Sequence, residues 1–306
     1  MAKMSLVQRV RMRAPTYWKY MREKPGWGIM FLLARTLAAR RIERFFASAP
    51  VRIPARVSGS MFPALDAPSV VSSLARDGCY LGLNLPENIA GEVRSFAERN
   101  PCFSRDHESN GFLPHQYSEV NRESARDVLA GYYFESAENC PAIVQLRSDP
   151  GLYSIATAYL GQKAFPVRTR LWWTFPSSRA SDEDLHAASQ DNFHFDMNDW
   201  RTLKYFFYLT PTDELAGPHQ CIPGSHRRRR LKHQLTFTVA RPTSELEEYY
   251  DATKFVTITG DEGFGFAEDP FLFHRGMRCR ENPRLILELE YGVTPSPPSY
   301  TYGRLG

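Results

Sequence analysis

His194 and Asp196 stand two residues apart in Asn192-Phe193-His194-Phe195-Asp196. On an extended chain, residues i and i+2 point to the same face. That spacing sets an imidazole beside a carboxylate, a pair suited to a first-row transition metal. A third ligand must come from elsewhere, and His274 is the best candidate. Its surroundings, Phe271-Leu272-Phe273-His274-Arg275-Gly276, also read as a strand. Two histidines and one carboxylate on one face, with other positions open, make the facial triad of non-haem Fe(II) oxygenases. Each residue also has a plainer reading. His194 and Asp196 alone describe a surface hydrogen-bonded pair, and His274 alone a core histidine.

The elements that must hold these residues are mostly strands. From Pro166 onward, short apolar runs at 167–175, 193–196, 203–209, 218–223, 235–240, 255–258, 264–266, 271–274 and 285–291 are punctuated by Gly and Pro. Such a pattern predicts a sandwich or barrel, with the jelly roll the common metal-bearing form. Helices are expected at 69–76, 86–99, 142–146 and 151–160, the last closed by Gly161. A short acidic helix is expected at 244–250. Asp77-Gly78 reads as a turn before a strand at 79–85. The fold class is therefore α+β, a double-stranded β-helix (jelly-roll, cupin-like) core flanked by helices. Residues 100–125 read as a long loop or lid, and 177–190 as a polar, acidic loop. These two, with 227–250, are expected to carry substrate specificity.

The composition is that of an ordinary globular chain, 42% hydrophobic and 24% charged in 306 residues. Five scattered cysteines without a Cys-x-x-Cys pair argue against structural zinc and a secreted disulfide framework. A reducing, cytoplasmic setting is the plain expectation. Residues 1–50 hold eleven Lys/Arg and two Glu, so they carry +9 of a net +4. The remainder is mildly acidic. The chain thus divides into a basic helical extension (1–50), a Pro-rich linker (51–68), the jelly-roll domain (69–295) and a loosely packed tail (296–306). No apolar run is long enough to span a membrane, and no signal peptide is apparent.

Residues 27–47 read as one amphipathic helix. Ile29, Phe31, Leu32, Leu33, Leu37, Ala38, Ile42, Phe45 and Phe46 supply its apolar side, and Arg35, Arg40, Arg41 and Arg44 its basic side. Such a helix either lies in an interface at the inner face of a membrane, engaging residues 1–47, or packs on the domain with its basic face in solvent. No nucleic-acid motif accompanies the charge, so no nucleic-acid partner is expected.

Company makes the histidine–aspartate pair specific. Phe193-His194-Phe195-Asp196 is followed by Leu203-Lys204 to Leu209-Thr210, Gly217-Pro218, Ile222-Pro223-Gly224-Ser225-His226, His274-Arg275-Gly276 and Arg284. A looser match lies upstream, in Asp77-Gly78 and in Asp149-Pro150-Gly151-Leu152 before Tyr159-Leu160-Gly161. With these residues the chain resembles the phytanoyl-CoA dioxygenase family of Fe(II)/2-oxoglutarate-dependent oxygenases, from about Ser69 to Tyr291. The resemblance implies His194, Asp196 and His274 as iron ligands. It implies Fe(II), 2-oxoglutarate and O2 as cofactor and cosubstrates, with Arg284 on the distal carboxylate of 2-oxoglutarate. A planar guanidinium suits that bidentate task, and lysine does not. The plainer reading of Arg284 is a solvated strand cation. The implied reaction is hydroxylation of an unactivated C–H bond. Family members that halogenate carry a small residue where Asp196 stands.

Three further residues are candidates for cosubstrate binding. Lys204 alternates with Phe206 and Tyr208; buried it would touch 2-oxoglutarate or substrate, and exposed it is an edge charge. Arg170 and Trp172 share a strand face with Arg168. The run Arg227–Arg230 is either a solvated loop or a cationic patch for an anionic substrate. Charge distribution favours an anionic, membrane-associated glycolipid, such as a Kdo sugar of a lipopolysaccharide precursor. A soluble metabolite or natural product is the second substrate reading. A non-catalytic jelly-roll ligand-binding protein is the reading from another class.

Overall fold

The computed structural model describes residues 14–15, 18–47, 49, 51, 53–104, 107–124, 126–187, 190–235 and 240–295. Among the described residues, eleven strands form two antiparallel sheets. They are β1 (Cys79–Leu81), β2 (Cys102–Ser104), β3 (His107–Phe112), β4 (Ala130–Tyr132), β5 (Phe165–Thr174), β6 (Thr202–Tyr208), β7 (His219–Cys221), β8 (Val256–Ile258), β9 (Gly265–Glu268), β10 (His274–Gly276) and β11 (Arg284–Gly292). The major sheet runs β1-β9-β6-β11-β5-β4-β2-β3, and the minor sheet runs β10-β7-β8. This is the jelly-roll arrangement that the strand pattern predicts.

The centre of the major sheet is buried on both faces, and period-2 alternation sorts its residues. In β5, Val167, Thr169, Leu171 and Trp173 are buried, and Arg168, Arg170 and Trp172 between them are partly so. Leu171, Trp173, Leu203, Tyr205, Phe207, Leu285, Leu287, Leu289 and Tyr291 join one core, shared with the helices. Those helices include α3 (Ala67–Asp77), α4 (Glu87–Arg99), α5 (Pro141–Arg147) and α6 (Pro150–Leu160). Even-numbered positions of β5, β6 and β11 turn the other way, toward the space between the sheets. There Glu290 registers with Arg168 and Lys204, Glu288 with Arg170 and Phe206, and Ile286 with Trp172 and Tyr208.

α3 ends at Gly78, which adopts a left-handed φ of 79° and returns its N–H to Leu74 O. Gly161 ends α6 in the same way. Both terminators sit where the sequence places them.

Three expectations need correction. Residues 27–47 are not one helix but two, α1 (Gly26–Leu33) and α2 (Leu37–Ala47). Thr36 explains the break: its hydroxyl donates to Leu33 O and accepts from Ala39 N–H, closing one helix and opening the next. Residues 100–125 are not a loop, since they include β2, β3 and a helix at Tyr117–Glu123. The strand residues there are few and polar, so the alternation is too short to read. Residues 177–190 contain a short helix, Asp182–Ala187. The strand expected at 235–240 falls largely, and the C-terminal tail at 296–306 wholly, outside the described residues. All five cysteines are free and buried. No helix among the described residues is long and apolar enough to cross a membrane.

Candidate metal centre and its cavity

His194, Asp196 and His274 converge. One ligand atom from each lies within 4.8 Å of the others. The backbone enforces this meeting: His194 N–H donates to His274 O and His274 N–H to His194 O, both at 2.8 Å. That hydrogen-bonded antiparallel pair seats two residues from distant parts of the chain side by side. Alternation does the rest. Phe193, Phe195 and Met197 bury themselves with Phe271 and Phe273 in a satellite cluster. His194 and Asp196 are left pointing at the cavity.

The imidazoles are oriented from behind. His194 Nδ1 lies 3.0 Å from Asn192 O, and His274 Nδ1 lies 3.2 Å from Leu272 O. Those contacts place the protons on Nδ1 and leave each Nε2 as the acceptor that a metal needs. His274 Nε2 faces Asp196 Oδ2 at 4.0 Å. Burial lowers the His274 pKa to about 4, so the ring is neutral at physiological pH. Desolvation would raise the Asp196 pKa, but Lys204, His274 and His194 outweigh it and hold the carboxyl well below its usual range. Two imidazoles and one carboxylate fit a divalent first-row metal.

Lys204 is buried, not an edge charge. Its Nζ donates to Asp196 Oδ2 at 2.6 Å and lies 3.4 Å from Glu288 Oε2. Arg170 forms a fork on Glu288, at 3.1 and 2.5 Å, with its guanidinium over Trp172. Arg168 reaches Glu288 and Glu290. Glu268 accepts from or donates to His219 Nε2 at 2.8 Å, and its other oxygen sits 3.4 Å from His274 Nδ1. Burial pushes the Glu268 carboxyl up to about 7 and the His219 imidazole down to about 3. The sequence reading omitted Glu268, Glu288 and Glu290. The signal was present for two of them, since Arg284, Ile286, Glu288 and Glu290 share one face by period 2.

Arg284 opens β11 and is buried against the same cavity. It donates to Gly217 O and, at 3.1 Å, to Thr174 Oγ1. Its Nε is buried with no hydrogen-bond partner among the described residues. A carboxylate is the group that completes such a guanidinium.

The cavity has a volume of about 190 Å³, and the three convergent residues, Lys204, Arg170, Trp172 and Arg284 all line it. Its remaining wall comes mainly from β4, β5, β6, β7, β10 and β11 rather than from the segments expected to set specificity. Among the described residues of 100–125, 177–190 and 227–250, only Gln190 reaches it. The Arg227–Arg230 run does not. Arg229 is buried against the rings of Phe195, Phe271 and Phe273, at 4.0–4.4 Å. It holds together the cluster behind the histidine strands.

The family model described as phytanoyl-CoA dioxygenase matches residues 86–280. The chain belongs to that family. No curated protein matches it in sequence. Among solved structures it is similar in fold to AviO1 from Streptomyces viridochromogenes Tue57, at 16% identity and TM-score 0.51, covering 76% of this chain and 97% of that one. It is similar to EctD from S. alaskensis, solved with 2-oxoglutarate and 5-hydroxyectoine, at 18% identity and TM-score 0.51, covering 84% and 89%. A third is the epimerase SnoN, solved with Fe3+, alpha ketoglutarate and nogalamycin RO, at 13% identity and TM-score 0.52, covering 74% and 82%. Membership of the phytanoyl-CoA dioxygenase family makes the chain an oxygenase by kind, and these neighbours share its jelly-roll fold.

Proposed function

We propose that this protein is an Fe(II)- and 2-oxoglutarate-dependent dioxygenase that hydroxylates an unactivated C–H bond. The observation that carries the reading is the convergence of His194, Asp196 and His274 in one cavity with the incomplete guanidinium of Arg284. In this reading the three residues hold iron and Arg284 binds the distal carboxylate of 2-oxoglutarate. The bound pair supplies oxidative decarboxylation to succinate, with one oxygen atom of O2 entering the substrate. Lys204 keeps Asp196 ionised and fixed until metal arrives. Glu288 keeps the Arg170 guanidinium extended over Trp172, where it can meet substrate or cosubstrate. The catalytic domain is placed at 69–295.

For substrate, Arg170 favours a molecule presenting an anionic or hydroxyl-bearing group. A Kdo-bearing glycolipid has that chemistry, and so does a soluble hydroxylated metabolite. A cytoplasmic site of action belongs to the same proposal.

The test is anaerobic titration of purified protein with Fe(II) and then 2-oxoglutarate. A weak metal-to-ligand charge-transfer band and slow succinate release are expected, both lost in His194→Ala. A His194→Ala protein that behaves as wild type would refute the iron assignment. Absence of succinate release in the wild type would favour the non-catalytic binding reading.

A further inference from the structure

The two N-terminal helices are mounted inside out. Their cations, which the sequence reading places on a separate face, serve as the attachment. Arg40 stacks on Phe271 at 3.5 Å and Arg44 donates to Tyr159 O at 2.9 Å, while Arg35 is buried against Phe31 O of its own helix. Glu43 binds Arg201 at 2.9 Å, and Gln234 Oε1 accepts from Leu37 N–H. Trp27, Met30 and Ala34, spaced i, i+3, i+7, bury the inner stripe of α1.

The outer stripes are apolar. Ile29, Leu32 and Leu33 face solvent from α1. Ile42, Phe45 and Phe46 do so from α2, the two phenylalanines at 80% and 81% exposure. Trp18 and Met21 add to them from the turn of helix before α1. Of fifteen large apolar side chains exposed among the described residues, eight fall between 18 and 46. A concentration of that kind marks an interaction surface rather than the scatter that any monomer shows.

Charge selects the occupant. Lys19, Arg22 and Arg41 are exposed amid this patch. The acids within residues 1–50 are Glu23 and Glu43, and Glu43 is held inward by Arg201. Residues 1–13 add Lys3, Arg9, Arg11 and Arg13 with no acid. A second copy meeting this face symmetrically would set positive charge against positive charge. A partner that is apolar beneath an anionic surface satisfies both features.

We infer that the exposed face of residues 18–46 docks on an anionic phospholipid bilayer, with Ile29, Leu32, Leu33, Ile42, Phe45 and Phe46 entering the acyl boundary. Trp18 sits at headgroup level, as tryptophan does at such interfaces, and Lys19, Arg22 and Arg41 meet the phosphates. The helices lie on the membrane and do not cross it. This inference is independent of the iron assignment.

The experiment uses the full chain and two sets of vesicles, phosphatidylcholine alone and phosphatidylcholine with phosphatidylglycerol. The chain is expected to co-sediment with the second set, less so as salt rises. The double substitution Phe45→Ser/Phe46→Ser should lower its partition coefficient on the order of 100-fold. Both side chains are almost fully exposed, so the urea midpoint and succinate release should stay put. As an arm free of mutational damage, vesicles of brominated lipid should quench wild-type fluorescence, and Trp18→Phe should remove that quenching. Failure of the wild type to bind anionic vesicles would overturn the inference. So would equal binding by the double variant, or a solution dimer that the double variant makes monomeric.

Discussion

At position 284 a lysine would keep the charge and lose the fork. Arg284 spends two of its nitrogens on Gly217 O and Thr174 Oγ1 and keeps Nε buried and open. Arg284→Lys should therefore raise the 2-oxoglutarate concentration for half-maximal succinate release by roughly 10- to 100-fold, the loss of one charge-assisted hydrogen bond. An unchanged value would remove Arg284 from cosubstrate binding. The residue scale is also where the sequence spoke most clearly. His194, Asp196, His274 and Arg284 could be named as candidates because the motifs around them together resemble one family, whereas the His194–Asp196 spacing alone is common. Lys204 could not be settled, because alternation gives its face and not its burial. Glu268, Glu288 and Glu290 went unread for a related reason. A glutamate in a strand is ordinarily at a solvent edge, and only the central place of β11 between β5 and β6 buries Glu288 and Glu290 against arginines.

Among the elements, the turn from α3 into β1 is the one whose failure can be forecast. Gly78 holds a φ of 79°, and a Cβ there would come within 2.6 Å of His226 Nδ1. Gly78→Ala should cost about 1–3 kcal/mol of stability, since it adds left-handed strain to a collision with a buried ring. The urea midpoint measures it. A variant as stable as wild type would mean that the loop at 224–226 yields freely. Long, strongly patterned elements were legible: α3, α4, α6, β5, β6 and β11 all lie within a few residues of their predicted spans. Short ones were not. The three-residue strands β2 and β4 offer no period to count, and the break at Thr36 depends on one hydroxyl choosing between two helices.

For the molecule as a whole, acid sensitivity follows from histidines buried neutral. His226 is the clearest case away from the metal centre. Desolvation by burial lowers its pKa below the ordinary 6.5, despite the raising influence of Asp269 and Ala75. The unfolded chain then binds more protons than the folded one once the pH drops below 6.5. His226 thus contributes its full stabilisation above pH 6.5, and that contribution is lost as the pH falls toward the lowered folded value. Urea midpoints at about pH 7.5 and about pH 5.5 should show wild type losing more stability than His226→Asn. Equal losses would assign the acid sensitivity to other groups. At this scale the sequence showed a charge asymmetry and an amphipathic extension, but not which way the extension faces. Both readings of 27–47 left its arginines outward, because charged residues are normally at the surface. Here the domain supplies the Phe271 ring and Tyr159 O to receive Arg40 and Arg44, partners that only the folded molecule brings within reach.

The backbone pairing of His194 with His274 also sets a timetable. Asp196 leaves the ribosome 78 residues before His274. At ~5–20 residues per second the nascent chain carries a two-ligand fragment for roughly 4–16 s. That fragment has no ladder to hold its spacing, and a lone His–Asp pair discriminates little among divalent ions. If His194, Asp196 and His274 hold the metal as proposed, its selection waits until the last strands close the sheet, and metal loading then reports on completed synthesis and folding together.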